Sequence, residues 1–171
     1  MLRLLQAPLL TTPPEVLPDG CQMRLSNPDD IEELGRLYYV AYDAEVACAD
    51  EAEAIADIAA SFAGAYGELW IEASPIGVFK GAIVAAVQTV RAAPWSDVPH
   101  GPFITEVFTD RAHRRLGLAR AALTCTISTL HQFGARSVSL RVRNSNTPAQ
   151  ELYTSLGFRE VGDHRDRAGR Q

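Results

Sequence analysis

The stretch Arg114-Arg115-Leu116-Gly117-Leu118-Ala119 decides the fold, because it joins a strand-like pattern to a helical one. The apolar run Phe103–Thr109 predicts the strand, and an apolar repeat at helical spacing starts at Leu116. The first N–H groups of a helix lack intrahelical acceptors, and the helix dipole adds partial positive charge there. Gly117 and Ala119 carry little or no side chain, which lets a ligand approach the backbone. This turn is therefore predicted to bind a phosphate or pyrophosphate.

Two arginines strengthen this prediction. The guanidinium groups of Arg114 and Arg115 can donate charge-assisted hydrogen bonds worth roughly 1.5–3 kcal/mol each. Two other phosphate loops are excluded, because the chain contains neither Gly-x4-Gly-Lys-Ser/Thr nor Gly-x-Gly-x-x-Gly. The pattern that fits is Arg-x-x-Gly-x-Ala, from Arg114 to Ala119. Taken alone, this pattern also fits a basic turn before an ordinary surface helix.

A second motif follows the strand-like segment Leu140-Arg141-Val142. With the arginine–glycine turn, it resembles the GCN5-related N-acetyltransferase (GNAT) family, in which Asn-x-x-Ala-x-x-Leu-Tyr precedes Leu-Gly-Phe. The specific resemblance covers roughly residues 103–162, and the segment from Cys21 onward is similar more loosely. Locally, Leu140–Phe158 is most similar to the ribosomal-protein alanine N-acetyltransferases. The matching positions are Asn146, Ala149, Leu152, Tyr153, Gly157 and Phe158.

The resemblance implies an α/β (α+β) fold with a mixed, splayed sheet flanked by helices. It implies that the sheet opens between the strand ending at Thr109 and the strand ending at Val142, with the pantetheine arm of acetyl-CoA in the gap. A bulge near Val107–Thr109 is expected to supply backbone N–H groups that polarise the reacting carbonyl. The implied acetyl-CoA contacts are Val107, Phe108, Thr109, Arg114, Arg115, Leu116, Gly117, Leu118, Ala119, Asn146 and Tyr153.

Glu106 is the candidate general base, on the strand before the phosphate turn and at a position where many family members carry glutamate. A lysine-like amine with a pKa of about 10.4 costs roughly 4.6 kcal/mol to neutralise at pH 7, whereas an α-amine near pKa 8 costs about 1 kcal/mol. The alanine-acetyltransferase branch places its glutamate where this chain has Arg141, which cannot act as a base. A solvated carboxylate on a half-exposed strand is the alternative for Glu106.

Tyr153 matches the family tyrosine near the sulfur and is the candidate general acid for the departing thiolate. The alternative is a core tyrosine on an apolar helical stripe. Asn146 fits both a helix N-cap and a pantetheine contact. His100 is a fallback base in the loop that precedes Phe103–Thr109.

The acceptor side is predicted to lie between the first two helices and this loop. Tyrosines, a tryptophan and several acids there favour a cation, which indicates a small-molecule amine or a basic peptide as partner. The alternative is that the acids are ordinary residues of a first helical turn. The candidate acceptor-binding residues are Tyr38, Tyr42, Trp95 and His100.

These observations predict a transferase that moves the acetyl group of acetyl-CoA to a primary amine by direct attack in a ternary complex. No cysteine occupies a motif position that would suggest an acyl-enzyme. A non-catalytic module that binds or senses acetyl-CoA remains an alternative. A structural domain without a ligand would require both motifs to be accidental.

Length and composition limit the remaining classes. The chain has 171 residues, 47% hydrophobic and 22% charged, which favours one domain with an ordinary core. The net charge of −5 argues against nucleic-acid binding, and no apolar run is long enough for a membrane span. Cys21, Cys48 and Cys125 have no metal-ligand spacing, so we expect no metal and a reducing cytoplasm.

The predicted organisation is an irregular N-terminal arm (1–20), an acetyltransferase domain (21–162) and a polar C-terminal tail (163–171). The family usually has a seventh strand after its Gly-Phe element, and this chain lacks an obvious one. The strand is missing, or the N-terminal arm or a second subunit of a homodimer replaces it, because an open sheet edge is a liability. Strands are predicted at Cys21–Ser26, Glu68–Ala73, Ile76–Arg91, Phe103–Thr109, Ser137–Val142 and Phe158–Val161, with helices after Asn27, Asp50, Leu116 and Asn146.

Overall fold

The computed structural model of the chain describes residues 1–10, 13–42 and 48–162, so the predicted tail, 163–171, lies outside the described residues. Within these residues, three short 3-10 turns accompany the longer elements. The helices are α1 (Ile31–Ala41), α2 (Glu51–Phe62), α3 (Leu118–Gln132) and α4 (Thr147–Ser155). The strands are β1 (Leu2–Pro8), β2 (Cys21–Leu25), β3 (Pro75–Phe79), β4 (Ala82–Val90), β5 (Phe103–Thr109), β6 (Ser137–Arg143) and β7 (Arg159–Glu160).

The strands form one mixed sheet in the order β2-β3-β4-β5-β6-β1-β7. Only the β5–β6 pair is parallel among the described strand pairs. Apolar residues of α1 and α2 pack on one face, around Phe108, and those of α3 and α4 pack on the other, around Val87 and Leu140. Two helical layers on a mixed sheet confirm the predicted α/β (α+β) fold.

The prediction of an irregular N-terminal arm is wrong for Leu2–Pro8. This segment is β1, which pairs antiparallel with all of β6, from Leu2 opposite Arg143 to Pro8 opposite Ser137. Its other edge pairs with β7 through Leu5 and Gln6. Leu5 and Ala7 are buried, so alternate residues of β1 fill the core. The N-terminal segment thus supplies the additional strand that the sequence pattern lacked after Gly157-Phe158.

Two strand predictions between residues 68 and 91 are also wrong. Glu68–Ala73 contains only an isolated bridge from Leu69 to Val90 and a 3-10 turn at Ile71–Ala73. Ile76–Arg91 is not one strand but the hairpin β3–β4. Its two turn residues, Lys80 and Gly81, have φ values of 49° and 87°, as the tight primed turns of hairpins require.

The sheet opens between β5 and β6. These parallel strands pair only at Phe103 with Ser139 and at Ile104 with Leu140, and diverge beyond that point. The expected bulge exists, but not at the predicted place. Gln88 lies opposite Glu106 and the next residue of β4 lies opposite Ile104, so Thr105 is the extra residue. Val107–Thr109 pair regularly with β4.

Candidate active site

The free edge of β5 lines the opening. The Asp110 N–H donates to the Val84 carbonyl over 2.8 Å, and pairing to the neighbouring strand alternates along an antiparallel ladder. The N–H groups of Val107 and Thr109 therefore point away from β4 and into the opening. The N–H of Phe108 points to β4, and its side chain is buried under α1 and α2. Two of the three predicted backbone contacts thus face the opening.

The predicted phosphate turn ends at the N-terminus of α3. Gly117 is the N-cap residue and has a φ of 80°, a left-handed conformation that favours glycine. A Cβ atom at this position would meet no other atom within 4 Å, so the backbone here is accessible. The first helical bond runs from the Ala121 N–H to the Gly117 carbonyl. The N–H groups of Leu118 and Ala119 precede that bond and remain for an anion, as a pyrophosphate site requires.

The two predicted arginines have different surroundings. The Arg114 guanidinium donates to the carbonyls of Ala41 and Thr109, the latter over 3.4 Å. It thereby stabilises the C-terminus of α1, where a cation is favourable. Arg115 is exposed and makes no hydrogen bond or ion pair with residues in the described ranges. Arg115 is the better placed of the two to meet an anion at the turn, and Leu116 beside it is exposed.

Glu106 lies on β5 at the opening, on the face covered by α1 and α2. The Tyr42 hydroxyl donates to its Oε2 over 2.8 Å, and the Tyr38 hydroxyl donates to its Oε1 over 3.3 Å. Burial raises the pKa of Glu106 to about 7, with Asp57 adding to the rise and the two tyrosine hydrogen bonds opposing it. A carboxylate with this pKa can accept a proton at neutral pH.

Tyr38 and Tyr42, predicted to bind the acceptor, are the residues that hold Glu106. Their rings meet edge to face, with centroids 5.1 Å apart. Burial, with the charge of Glu106 as a further cause, raises the pKa of both hydroxyls above the ordinary tyrosine value. Both side chains are therefore protonated donors over the ordinary working range, and they fix the orientation of the carboxylate.

Asp57 and Tyr66 were missed by the sequence analysis and belong to the same surroundings. The Tyr66 hydroxyl donates to Asp57, and this hydrogen bond, with burial, raises the pKa of Tyr66 to about 12. The charge of Asp57 acts on Glu106, so the two carboxylates lie in one electrostatic neighbourhood. Asp57 is spaced with the buried residues Ala54, Ile58 and Ser61 on one stripe of α2. The sequence signal that could have revealed Asp57 is an acidic residue within the buried stripe of a helix.

Tyr153 packs on the other face of the sheet, in the cluster that contains Ile104 of β5 and Leu140 of β6. Its ring packs against Phe158 with centroids 5.7 Å apart, and the residue is 7% exposed. Its hydroxyl has no hydrogen-bond partner among the described residues. Burial, followed by the charge of Glu106, raises its pKa well above the usual value. Asn146 caps α4 by accepting from the Ala149 N–H over 3.3 Å, which fulfils the predicted N-cap role.

The loop before β5 packs over the same face as Glu106. Trp95 meets the ring of Phe103 edge to face at 5.5 Å, and the Arg141 guanidinium lies 5.4 Å from the Trp95 ring centre. His100 is exposed and has no hydrogen bond or ion pair with the described residues. Of the two predicted acceptor residues in this loop, only Trp95 is therefore tied to the site.

Within the described ranges, no group of three or more His, Cys, Asp or Glu side chains is arranged to hold a metal ion. In that same part of the chain, no helix has the length and apolar character needed to cross a membrane.

A splayed sheet with a free strand edge and a helix N-terminus at its opening defines the acyl-CoA N-acyltransferase fold. The sequence model of the acetyltransferase (GNAT) family matches residues 31–158, and the chain belongs to that family.

Known proteins resemble the chain to different extents. A ribosomal protein bS18-alanine N-acetyltransferase of Haemophilus ducreyi is 42% identical over 52 residues, which cover 30% of this chain and 36% of that protein. A solved GCN5-related N-acetyltransferase of Sphaerobacter thermophilus is 20% identical, with a TM-score of 0.70 over 94% of this chain and 48% of the other. The aminoglycoside N-acetyltransferase AAC(6')-Iy, solved with CoA, is 18% identical, with a TM-score of 0.64 over 86% and 94%. The chain thus spans about a third to a half of the length of the first two.

Proposed function

We propose that the protein is an N-acetyltransferase that moves the acetyl group of acetyl-CoA to a primary amine by direct attack within a ternary complex. The observation that carries the proposal is Glu106, a carboxylate with a pKa of about 7 at the opening of the sheet. It lies on the strand whose free edge and following turn fit an acyl-CoA. Family membership supports the same chemistry.

Acetyl-CoA supplies the acetyl group as a thioester. The N–H groups of Val107 and Thr109 face the opening and bind the pantetheine arm as an added strand would be bound. The N–H groups of Leu118 and Ala119, with the Arg115 guanidinium, bind the pyrophosphate. Asn146 keeps the start of α4 in place, and α4 carries Tyr153.

Glu106 accepts the proton of the incoming ammonium at its carboxylate. At pH 7 about half of this carboxyl is ionised, given a pKa of about 7, so it combines the ionised form with useful basicity. Tyr42 and Tyr38 hold the carboxylate oxygens in place, which keeps the base oriented between turnovers. Glu106 thus lowers the cost of neutralising an amine whose own pKa lies well above 7.

The neutral amine attacks the thioester carbonyl carbon, so that a C–N bond forms and the C–S bond breaks. Tyr153 donates its Oη proton to the departing thiolate, and the second proton of the amine nitrogen restores the hydroxyl of Tyr153. Its raised pKa keeps the hydroxyl protonated, and the hydroxyl has no competing partner in the described part of the chain. The residue lies on the opposite face of the sheet from α1 and α2, so acid and base approach the reacting centre from different sides. This division suits a single direct attack.

The acceptor is a cationic amine. Glu106 and Asp57 lie near one another, with the rings of Tyr38, Tyr42 and Tyr66 around them, and acids with ring faces attract an ammonium group. Small polyamines, aminoglycosides and basic peptide termini all carry such a group. The similarity of this chain to enzymes for a ribosomal protein and for aminoglycosides covers two of these classes.

The test uses purified protein, acetyl-CoA and a panel of spermidine, kanamycin A, an alanine-first peptide and a lysine-containing peptide. Free thiol release and mass spectrometry of the products identify any acetylated amine, and Glu106→Gln serves as the matched control. A product made by the wild type and much reduced in the variant supports the proposal. Acetyl-CoA binding without any product favours the sensor module instead. The absence of any thermal shift with saturating acetyl-CoA refutes both functions.

A further inference from the structure

Arg141 and Glu106 lie on the same face of the sheet, on the two strands that flank its opening. Glu106 is opposite Gln88, and Phe103 is opposite Val90, two residues further along β4, so both share one face. Phe103 is opposite Ser139, which shares its face with Arg141 two residues later. Arg141 therefore faces the same side of the sheet as Glu106.

Arg141 is engaged with the loop 91–102. It forms an ion pair with Asp97, and its guanidinium lies 5.4 Å from the Trp95 ring centre. Trp95 rests on Phe103 of β5, and Val98 is buried in a cluster with Phe103 and Val90. The loop is thus held to the sheet by apolar packing at one point and by Arg141 at another. Side chains of Arg141 and Asp97 are 25% and 30% exposed, so the ion pair is partly shielded from water.

The loop and the helices cover different parts of this face. α1 and α2 lie over β3 to β5, around Phe108, and the loop lies over β5, β6 and β1, around Phe103 and Leu4. Glu106 is at the boundary between the two covers. The loop is therefore one of the elements that border Glu106 on this face of the sheet.

We propose that Arg141 is a positioning residue that seats the loop 91–102 as the outer wall of the acceptor channel, through Asp97 and Trp95. These three residues are called the Arg141 latch. The proposal rests on the proposed function, because it assigns the wall to the acceptor of that reaction. Among the described residues, Arg141 makes no hydrogen bond or ion pair with Glu106 or with the turn 114–119, so it acts through the loop.

The first experiment measures how firmly the loop 91–102 is held against the sheet, and it needs no turnover. The chain has two tryptophans, of which Trp70 is 8% exposed and Trp95 is 36% exposed, so acrylamide quenching of fluorescence reports mainly on Trp95. Arg141→Ala is expected to increase this quenching while leaving the affinity for acetyl-CoA within about twofold of wild type. Arg136→Ala, which removes the same charge at an exposed position before β6, is the control and should change neither.

The second experiment separates the two substrates with the acceptor from the panel that gives the highest wild-type turnover. Arg141→Ala should raise the KM for that acceptor by roughly tenfold or more and leave the KM for acetyl-CoA within about twofold. Arg141→Lys should raise the acceptor KM less than Arg141→Ala does. Lysine keeps the positive charge opposite Asp97 but lacks the planar guanidinium over the Trp95 ring. The double variant Asp97→Ala/Arg141→Ala should raise the acceptor KM no more than the more severe of the two single variants does.

Unchanged Trp95 quenching in Arg141→Ala would contradict the positioning role of Arg141. So would an equal rise of the KM values for the acceptor and for acetyl-CoA. The failure of the proposed function is a different result, namely no turnover by the wild-type protein with any amine. In that case the quenching comparison still decides whether Arg141 seats the loop.

Discussion

The Tyr42 hydroxyl donates a 2.8 Å hydrogen bond to Oε2 of Glu106, and so links the C-terminal end of α1 to the candidate base. This bond favours the ionised carboxylate, while burial favours the protonated one. The balance holds the pKa of Glu106 at about 7. Replacing Glu106 and replacing Tyr42 should therefore change the pH dependence of the reaction in two different, measurable ways.

Glu106→Gln is expected to reduce kcat/KM by about 10²–10⁴-fold at pH 7, the usual contribution of a general base. In the wild type, kcat/KM should rise with pH and level off above about pH 7, as Glu106 ionises. The loss in the variant should be smaller at pH 9, where more of the amine is already neutral. A loss of equal size at both pH values would argue against a base.

Tyr42→Phe removes a hydrogen bond to the charged form, so the pKa of Glu106 should increase further. Bonds to charged groups contribute about 1.5–3 kcal/mol, which corresponds to a shift of roughly 1–2 pH units in the acid limb of kcat/KM. The pH–rate profile measures this shift directly. Tyr39→Phe is the matched control, since Tyr39 is on the same helix but exposed, and its profile should match the wild type. An unmoved acid limb in Tyr42→Phe would contradict the assignment of Glu106.

Gly117→Asp is expected to abolish acetyl-CoA binding, because it puts a carboxylate at the turn that the pyrophosphate would occupy. Calorimetry or a thermal shift with acetyl-CoA measures the loss. Gly134→Asp at the other end of α3 is a close control, since Gly134 has a φ of 81° and an equally open Cβ position. It should incur the same backbone strain, of about 1–2 kcal/mol, yet keep its affinity. Equal binding by the two variants would remove the turn from the site.

Tyr153→Phe should lower kcat by about 10–10³-fold and leave acetyl-CoA binding nearly unchanged. The reason is that the hydroxyl has no partner among the described residues, so the ring packing against Phe158 survives the change. Single-turnover kinetics and equilibrium binding separate the two effects. A normal kcat would reduce Tyr153 to a packing residue.

Glu106 should also make the fold less stable at neutral pH than at pH 4. Its pKa is about 7 in the folded chain against about 4.3 when unfolded, so the folded state binds more protons between these values. The free energy of unfolding therefore falls as pH rises from about 4 to 7. Glu106→Gln should be more stable than wild type at pH 8, by on the order of 1–3 kcal/mol, and nearly equal at pH 4. Urea unfolding at the two pH values measures the difference. Equal stability of the variant and the wild type at pH 8 would mean that burial does not destabilise the ionised form of Glu106.

The sequence predicted features whose causes are local. The turn before α3 requires glycine at a left-handed position and a helix start directly after it, and both are visible in neighbouring residues. Glu106 was predicted as the base because it precedes that turn on a recognisable strand, at a position where the family that the chain resembles often carries glutamate. Asn146 was identified as a cap from its spacing to Pro148, which lies at the start of α4.

The features that sequence did not predict depend on distant partners. β1 has two buried side chains, Leu5 and Ala7, and its partner Leu140 lies in another part of the chain. The role of Arg141 depends on Asp97 and Trp95, to which no repeat or motif connects it. The residues Lys80-Gly81 did carry a turn signal, but the apolar run on both sides favoured a single long strand.

The pairing of Leu5 with Leu140 also determines when this protein can fold during its synthesis. Once made, β1 has to wait for β6, which is synthesised on the order of 10 s later at ordinary elongation rates. Until then β1 is an exposed apolar strand, and the half of the sheet beyond the opening cannot form. Pairing across such a separation in sequence is slow, and it leaves an apolar strand open to aggregation until β6 is available.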